Sequence, residues 1–95
     1  MSVLLTVSIR AFQGCGGDLV ELLGTASPEE EIDGCFGISV FQNINDPDEV
    51  LIIERWDQVE RHKQFLASLE DAGALKPMQE MSESVTRQYF TEIDK

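Results

Sequence analysis

A chain of 95 residues with eighteen Asp and Glu against seven Lys and Arg carries a formal charge of −11. Such a surface repels a phosphate backbone rather than releasing counterions from it, which excludes nucleic acid as an expected partner. No apolar run approaches the roughly 20 residues of a membrane span and Met1 to Val7 hold no basic leader, so the expectation is a cytoplasmic protein with no membrane association.

Val3 to Phe12 reads as the first strand, with Val3, Leu5, Val7, Ile9 and Ala11 on one face and Leu4, Thr6, Ser8, Arg10 and Phe12 on the other. Both faces are apolar near its start, as in a central strand. Gln13 to Gly17 breaks the pattern. Its Gly14-Cys15-Gly16-Gly17 run lacks the lysine and spacing of a phosphate cradle and reads as a flexible approach to a helix. Leu19, Leu22, Leu23 and Ala26 then fall at helical spacing, with Asp18 favouring the N-terminal end. Ser27-Pro28-Glu29-Glu30 reads as a restart, Ser27 capping and Glu30 completing a capping box.

Cys35 to Asn43 is the second strand, where Phe36, Ile38 and Val40 alternate with Gly37 and Ser39; one well-filled face suits a sheet edge. Cys15 and Cys35 match no zinc spacing and are expected as reduced thiols. Asn43 to Asp48 is a dense turn signal, and Glu49 to Trp56 returns as the third strand of a hairpin. Asp57 and Glu60 form a capping box at the start of a second helix. Gly73 interrupts that helix, and Leu75, Met78 and Met81 extend a shorter piece with Pro77 in its first turn. Ser84 to Thr91 closes the sheet.

The order is βαββαβ, an α+β fold of ferredoxin-like type, one domain over residues 1–95, with helices on one face of an antiparallel sheet. The first and third strands are apolar on both faces, so the uncovered face is expected to be buried in a homodimer.

Chemistry is sought first at the lone histidine. On a helical wheel Val59, His62, Phe65, Leu66 and Leu69 share one sector, which turns His62 toward the sheet. Val50, Ile52, Glu54 and Trp56 share one face of the third strand. If the helix covers that face, Trp56, Glu54 and His62 border one cavity. An imidazole in such a pocket has its pKa pulled down by desolvation and pushed up by a neighbouring carboxylate, which poises it as a general base; an isolated histidine on an apolar stripe is about as often a core residue hydrogen-bonded to backbone. Trp56 would serve as a flat wall against an aromatic substrate, or as packing mass. Arg55 and Arg10 could anchor an anionic substrate, and Thr6 and Ser8 could donate pocket hydrogen bonds, although surface arginines among so many carboxylates are commonly ordinary ion-pair partners. No His, Cys and carboxylate cluster has metal-site spacing, and no serine sits in a nucleophile elbow.

Gly14, Gly34-Cys35, Asp46-Pro47, Glu54-Arg55-Trp56, His62, Leu66-Ala67 and Arg87-Gln88-Tyr89-Phe90 follow one another in an order and spacing that resembles the antibiotic biosynthesis monooxygenase superfamily, and within it the quinol monooxygenase branch. The resemblance covers nearly the whole chain. It implies a dimeric α/β barrel and a monooxygenase of quinol or polyphenol substrates that uses neither flavin nor metal, the deprotonated substrate itself passing an electron to oxygen. His62 and Trp56 occupy positions that the resemblance assigns to catalysis, and Phe65 stands in the substrate pocket where the branch often has Tyr. Ser68-Leu69 replaces a Trp-Arg pair, so pocket polarity differs. The superfamily also includes haem-degrading proteins and proteins of no known activity. A dimeric barrel that only binds a hydrophobic ligand, and a haem protein with His62 as axial ligand, are therefore the rival readings. The absence of a second histidine and the scarcity of cations for haem propionates count against the last.

Overall fold

The computed structural model describes residues 2–25 and 32–93. Four strands, β1 (Val3–Ala11), β2 (Cys35–Gln42), β3 (Glu49–Trp56) and β4 (Ser82–Thr91), alternate with α1 (Gly16–Thr25), α2 (Val59–Asp71) and the short α3 (Lys76–Met81). The sheet order is β2-β3-β1-β4 with every neighbouring pair antiparallel. This is the expected ferredoxin-like α+β fold, with β1 and β3 central and β2 at an edge. Ala26 and the capping box expected at Ser27 to Glu30 lie outside the described residues.

The pairing register aligns side chains across the sheet in rows. On the helix-covered face one row is Cys35, Trp56, Val3 and Thr91, the next Ile38, Glu54, Leu5 and Tyr89, and the third Val40, Ile52, Val7 and Arg87. Leu5, Val7, Ile9 and Ala11 of β1 join Val50, Ile52 and Trp56 of β3, Leu19 of α1 and Met78 of α3 in the buried core. Alternation along β1 and β3 creates this face, because successive side chains point to opposite sides of a strand.

Local differences from the expected elements have local causes. The second strand bulges: Cys35 pairs with Trp56 and Gly37 with Arg55, leaving Phe36 as the inserted residue, 67% exposed, instead of in line with Ile38 and Val40. The α2 helix begins at Val59 with Gln58 in the capping position and no side-chain cap. Asp57 therefore does not form the capping box with Glu60. Its backbone N–H is tied to the carbonyl of Gly34 at 2.8 Å, and its Oδ1 is enclosed without a partner. At the other end of α2, Gly73 takes φ +71° and its N–H reaches Glu70 O at 3.0 Å, while Ala74 N–H reaches Leu69 O at 2.9 Å. These two bonds are a Schellman stop, which explains why the helix ends at this glycine.

The Gly14 to Gly17 run is not flexible in the folded chain. Asp48 in the β2–β3 turn accepts the backbone N–H of Gly14 on one carboxylate oxygen and that of Gly16 on the other, each at 3.0 Å. A Cβ on Gly16 would lie 1.9 Å from the carbonyl oxygen of Pro47. The hairpin turn and the start of α1 are in direct backbone contact, and glycine is what that approach requires.

Candidate active site

Between the helix-covered face and α2 lies a cavity of about 220 Å³. Its walls are Val7, Ile52, Ile38 and Val40 from the sheet, Phe65, Leu66 and Leu69 from α2, Leu22 and Leu23 from α1, Leu75 just before α3 and Met78 within it. Three polar side chains reach it: Glu54, His62 and Arg87. The two register rows account for this, since Glu54 of β3 and Arg87 of β4 flank β1 at adjacent levels of one face.

His62 is buried, 3% exposed, on the inward stripe of α2. Its ring meets Trp56 edge-on at a centroid distance of 5.3 Å and Tyr89 edge-on at 5.5 Å. Nδ1 lies 2.7 Å from the Tyr89 hydroxyl. Among the described residues Nε2 has no hydrogen-bond partner, yet the one enclosed side-chain polar atom left without a partner is Asp57 Oδ1. Nε2 is therefore open to space, and the space that His62 borders is the cavity.

Trp56 sits differently from the expectation. It is 1% exposed and lies beneath the site rather than in its wall. Its Nε1–H donates to Glu54 Oε1 at 2.9 Å, its edge supports His62, and Phe65 packs against it at 5.6 Å. The apolar wall a ligand would meet is Phe65. A tryptophan buried to this degree needs an acceptor for its N–H, and Glu54 supplies one.

Thr6, Ser8 and Arg10 do not belong to the cavity. They alternate with Leu5, Val7 and Ile9 along β1 and so stand on the opposite, uncovered face, as does Arg55 on β3. Arg10 is ion-paired with Asp46 in the hairpin turn, which holds its guanidinium above the ordinary value and the Asp46 carboxyl below its own. The sequence reading named Arg87 and Tyr89 only as part of the last strand's resemblance and did not place them in the site. Their signal was the alternation of Val85, Arg87 and Tyr89 in β4, which acquires meaning only once the β1–β4 register is known.

Burial is the chief influence on His62, Glu54 and Tyr89. It lowers the His62 imidazole below 6.5, and the positive charge of Arg87 acts the same way, not the upward push expected from a carboxylate. Burial raises Glu54 above 4.5, against the Trp56 N–H and Arg87, which favour its ionised form. Tyr89 is also raised, by burial first, with Arg87 opposing and Glu54 adding to the shift. The site thus offers an uncharged imidazole, a protonated phenol and a partly desolvated carboxyl around an apolar space.

Among the described residues no cluster of three or more His, Cys, Asp or Glu could hold a metal ion, and no helix is long and apolar enough to cross a membrane. Among proteins of curated function none matches this sequence. Solved structures match along most of their lengths. A Chloroflexus aurantiacus protein named for the antibiotic biosynthesis monooxygenases superposes with a TM-score of 0.80 at 24% identity, covering 100% of this chain and 96% of that one. One named likewise from Bordetella bronchiseptica gives 0.83 at 19%, covering 97% of each. SnoaB of Streptomyces nogalater, described as a cofactor-independent oxygenase and crystallised as a point mutant, gives 0.81 at 13%, covering 99% and 95%. At these identities the likeness is one of fold. The sequence itself matches the family model for antibiotic biosynthesis monooxygenase over residues 2–77, from β1 through α2 into the first turn of α3. The chain therefore belongs to the antibiotic biosynthesis monooxygenase family.

Proposed function

We propose that the protein is a cofactor-independent monooxygenase that oxidises a small aromatic quinol or polyphenol with O2, with His62 as the base. The observation that carries this reading is His62 itself: Nδ1 engaged by Tyr89, Nε2 open to an apolar cavity, and a pKa held low. In the tautomer that carries its hydrogen on Nδ1, the Tyr89 oxygen accepts that bond and Nε2 keeps its lone pair toward the cavity. A phenolic hydroxyl placed there gives its proton to Nε2. The phenolate passes one electron to O2, the radical pair joins as a ring peroxide that takes the proton back from His62 to become the hydroperoxide, and loss of water leaves the hydroxyquinone. One oxygen atom enters the product and the other leaves as water, so a hydroquinone plus O2 becomes a hydroxyquinone plus H2O. The largely apolar walls lower the local dielectric around the anion, which strengthens the protein's electrostatic contacts with it. SnoaB, an oxygenase on this fold, is consistent with such chemistry.

Cavity volume narrows the substrate. A space of about 150 Å³ takes a benzene molecule, so about 220 Å³ suits a substituted single ring and is far too small for a porphyrin. The test is oxygen consumption with a panel of substituted hydroquinones. Because the base works when neutral, kcat/KM should fall only as the pH drops through a depressed imidazole pKa, with the acid limb centred below 6.5. An acid limb centred above 6.5, or no oxygen uptake with any hydroquinone, would count against the base and the activity respectively.

Two copies are proposed to join through the open face of the sheet. Phe41 and Phe90 are about half-exposed there beside Leu4, Leu51 and Ile53, more apolar surface than a monomer usually leaves to water. Proteins of this family are typically dimers. Sedimentation at micromolar concentration is expected to give a dimer, and Ile53→Lys, at the centre of that face, a monomer. A wild-type monomer would end this proposal.

A further inference from the structure

Arg87 is the one cation among the residues that line the cavity. The other positive side chains are accounted for elsewhere: Arg10 is paired with Asp46, Arg61 lies 3.8 Å from Asp33, Arg55 stands on the opposite face, and Lys63 and Lys76 are exposed on α2 and α3. Lys95 lies outside the described residues. Among the described residues the Arg87 guanidinium makes no ion pair and no side-chain hydrogen bond. Its influence nevertheless reaches Glu54, His62 and Tyr89.

Arg87 is exposed, as Lys63 and Lys76 are, but its guanidinium borders an apolar cavity, and among the described residues no carboxylate pairs with it, which leaves an unfilled recognition element there. Glu54 does not fill it. The two residues sit on strands separated by β1, so their backbones are about 10 Å apart at the usual strand spacing, and the carboxyl of Glu54 is already committed to Trp56. Guanidinium is permanently charged and presents a fork that matches a carboxylate in two parallel bonds. Resting on the reading of this cavity as the substrate site, we infer that Arg87 forms an anion subsite within it: the ligand is a single-ring aromatic acid, its carboxylate on Arg87 and its phenolic hydroxyl toward His62 Nε2. The same charge stabilises the phenolate when His62 takes the proton. Arg87 lies beyond residues 2–77, which the family model matches, and its place at the cavity rests on the β1–β4 register of this chain.

Equilibrium binding tests it without any demand for turnover. Under anaerobic conditions 2,5-dihydroxybenzoate, its neutral isostere 2,5-dihydroxybenzamide and hydroquinone are titrated into the full chain, by calorimetry and by the fluorescence of the only tryptophan, Trp56. The wild type is expected to bind the acid at least tenfold more tightly than the amide, in line with a charge-assisted hydrogen bond. Arg87→Met, which keeps the apolar stem, is expected to bring that ratio to about one, and Arg87→Lys to restore part of it. Equal affinity for acid and amide in the wild type, persistence of the preference in Arg87→Met, or binding of none of the three compounds would each overturn the subsite. A retained preference with no oxygen uptake would leave the subsite standing while the monooxygenase reading fell. Oxygen uptake with hydroquinone and no preference for the acid would do the reverse.

Discussion

Replacement of His62 by alanine is expected to lower turnover of a quinol by about 10²-fold or more, because a positioned general base contributes a factor of that order. The geometry makes the loss specific. Nε2 is the one imidazole atom left free to take a proton from the cavity, while Nδ1 is occupied by Tyr89. Glu54 cannot easily substitute, since its carboxyl is held by the Trp56 N–H, and Tyr89, with its pKa raised, stays protonated. His62→Ala also removes a buried ring that packs against Trp56 and Tyr89, so the measurement needs a control for structure. Near-ultraviolet circular dichroism of Trp56 supplies it, and added imidazole, which can occupy the vacated space, is expected to recover part of the rate. Tyr89→Phe keeps the ring and loses only the hydroxyl; a smaller loss is expected there, since the imidazole remains but is free to turn. Equal oxygen consumption by wild type and His62→Ala at saturating substrate would remove the base assignment.

Gly16→Ala is expected to destabilise the fold by about 3 kcal/mol, the upper end of what a well-packed site exacts for an added methyl group. The obstacle is backbone: the new Cβ would sit 1.9 Å from Pro47 O and 2.8 Å from the Cα of Asp48. Neither can swing aside as a side-chain tip would, so the hairpin turn must lift from α1, and the two hydrogen bonds from Gly14 and Gly16 to Asp48 loosen with it. Against a total stability of roughly 5–15 kcal/mol such a loss is large. Gly24→Ala in the same helix supplies the contrast. Nothing lies within 4 Å of its new Cβ, and exchanging glycine for alanine in a helix stabilises by about 0.5–1 kcal/mol. Asp48→Ala, which removes only the acceptor, is expected to cost about 1 kcal/mol, as loss of a helix cap does. Urea midpoints at one fixed protein concentration check all three, and a Gly16→Ala midpoint equal to that of wild type would show that the two loops separate without cost.

The sequence was sufficient for much of this. Period-two alternation in Val3 to Ala11 and Glu49 to Trp56, helical spacing in Leu19 to Leu23 and in Val59 to Leu69, and the glycine at position 73 specify elements and their order, because each signal is local and repeats. That order, with an antiparallel hairpin at its centre, leaves few ways to build a sheet. His62 and Glu54 were legible for the same reason: each lies on the buried stripe of its own element, and two buried stripes must meet. Only the tertiary structure decided what depends on how elements pair. Thr6, Ser8 and Arg10 carry suitable chemistry, but the parity of β1 turns them away from the helices. Trp56 shares its strand face with Glu54, yet α2 covers it completely, and its part becomes that of a support. Tyr89 and Arg87 enter the site because β4 pairs with β1 in a register that sets them one and two rows from Trp56; a slip of one residue would point both at the uncovered face. Asp48 and Gly16, 32 residues apart, become a single contact only when the hairpin closes over the first helix. Periodicity is a property of neighbours along the chain, whereas register and close approach are properties of neighbours in space, and the chemistry of this cavity rests on both.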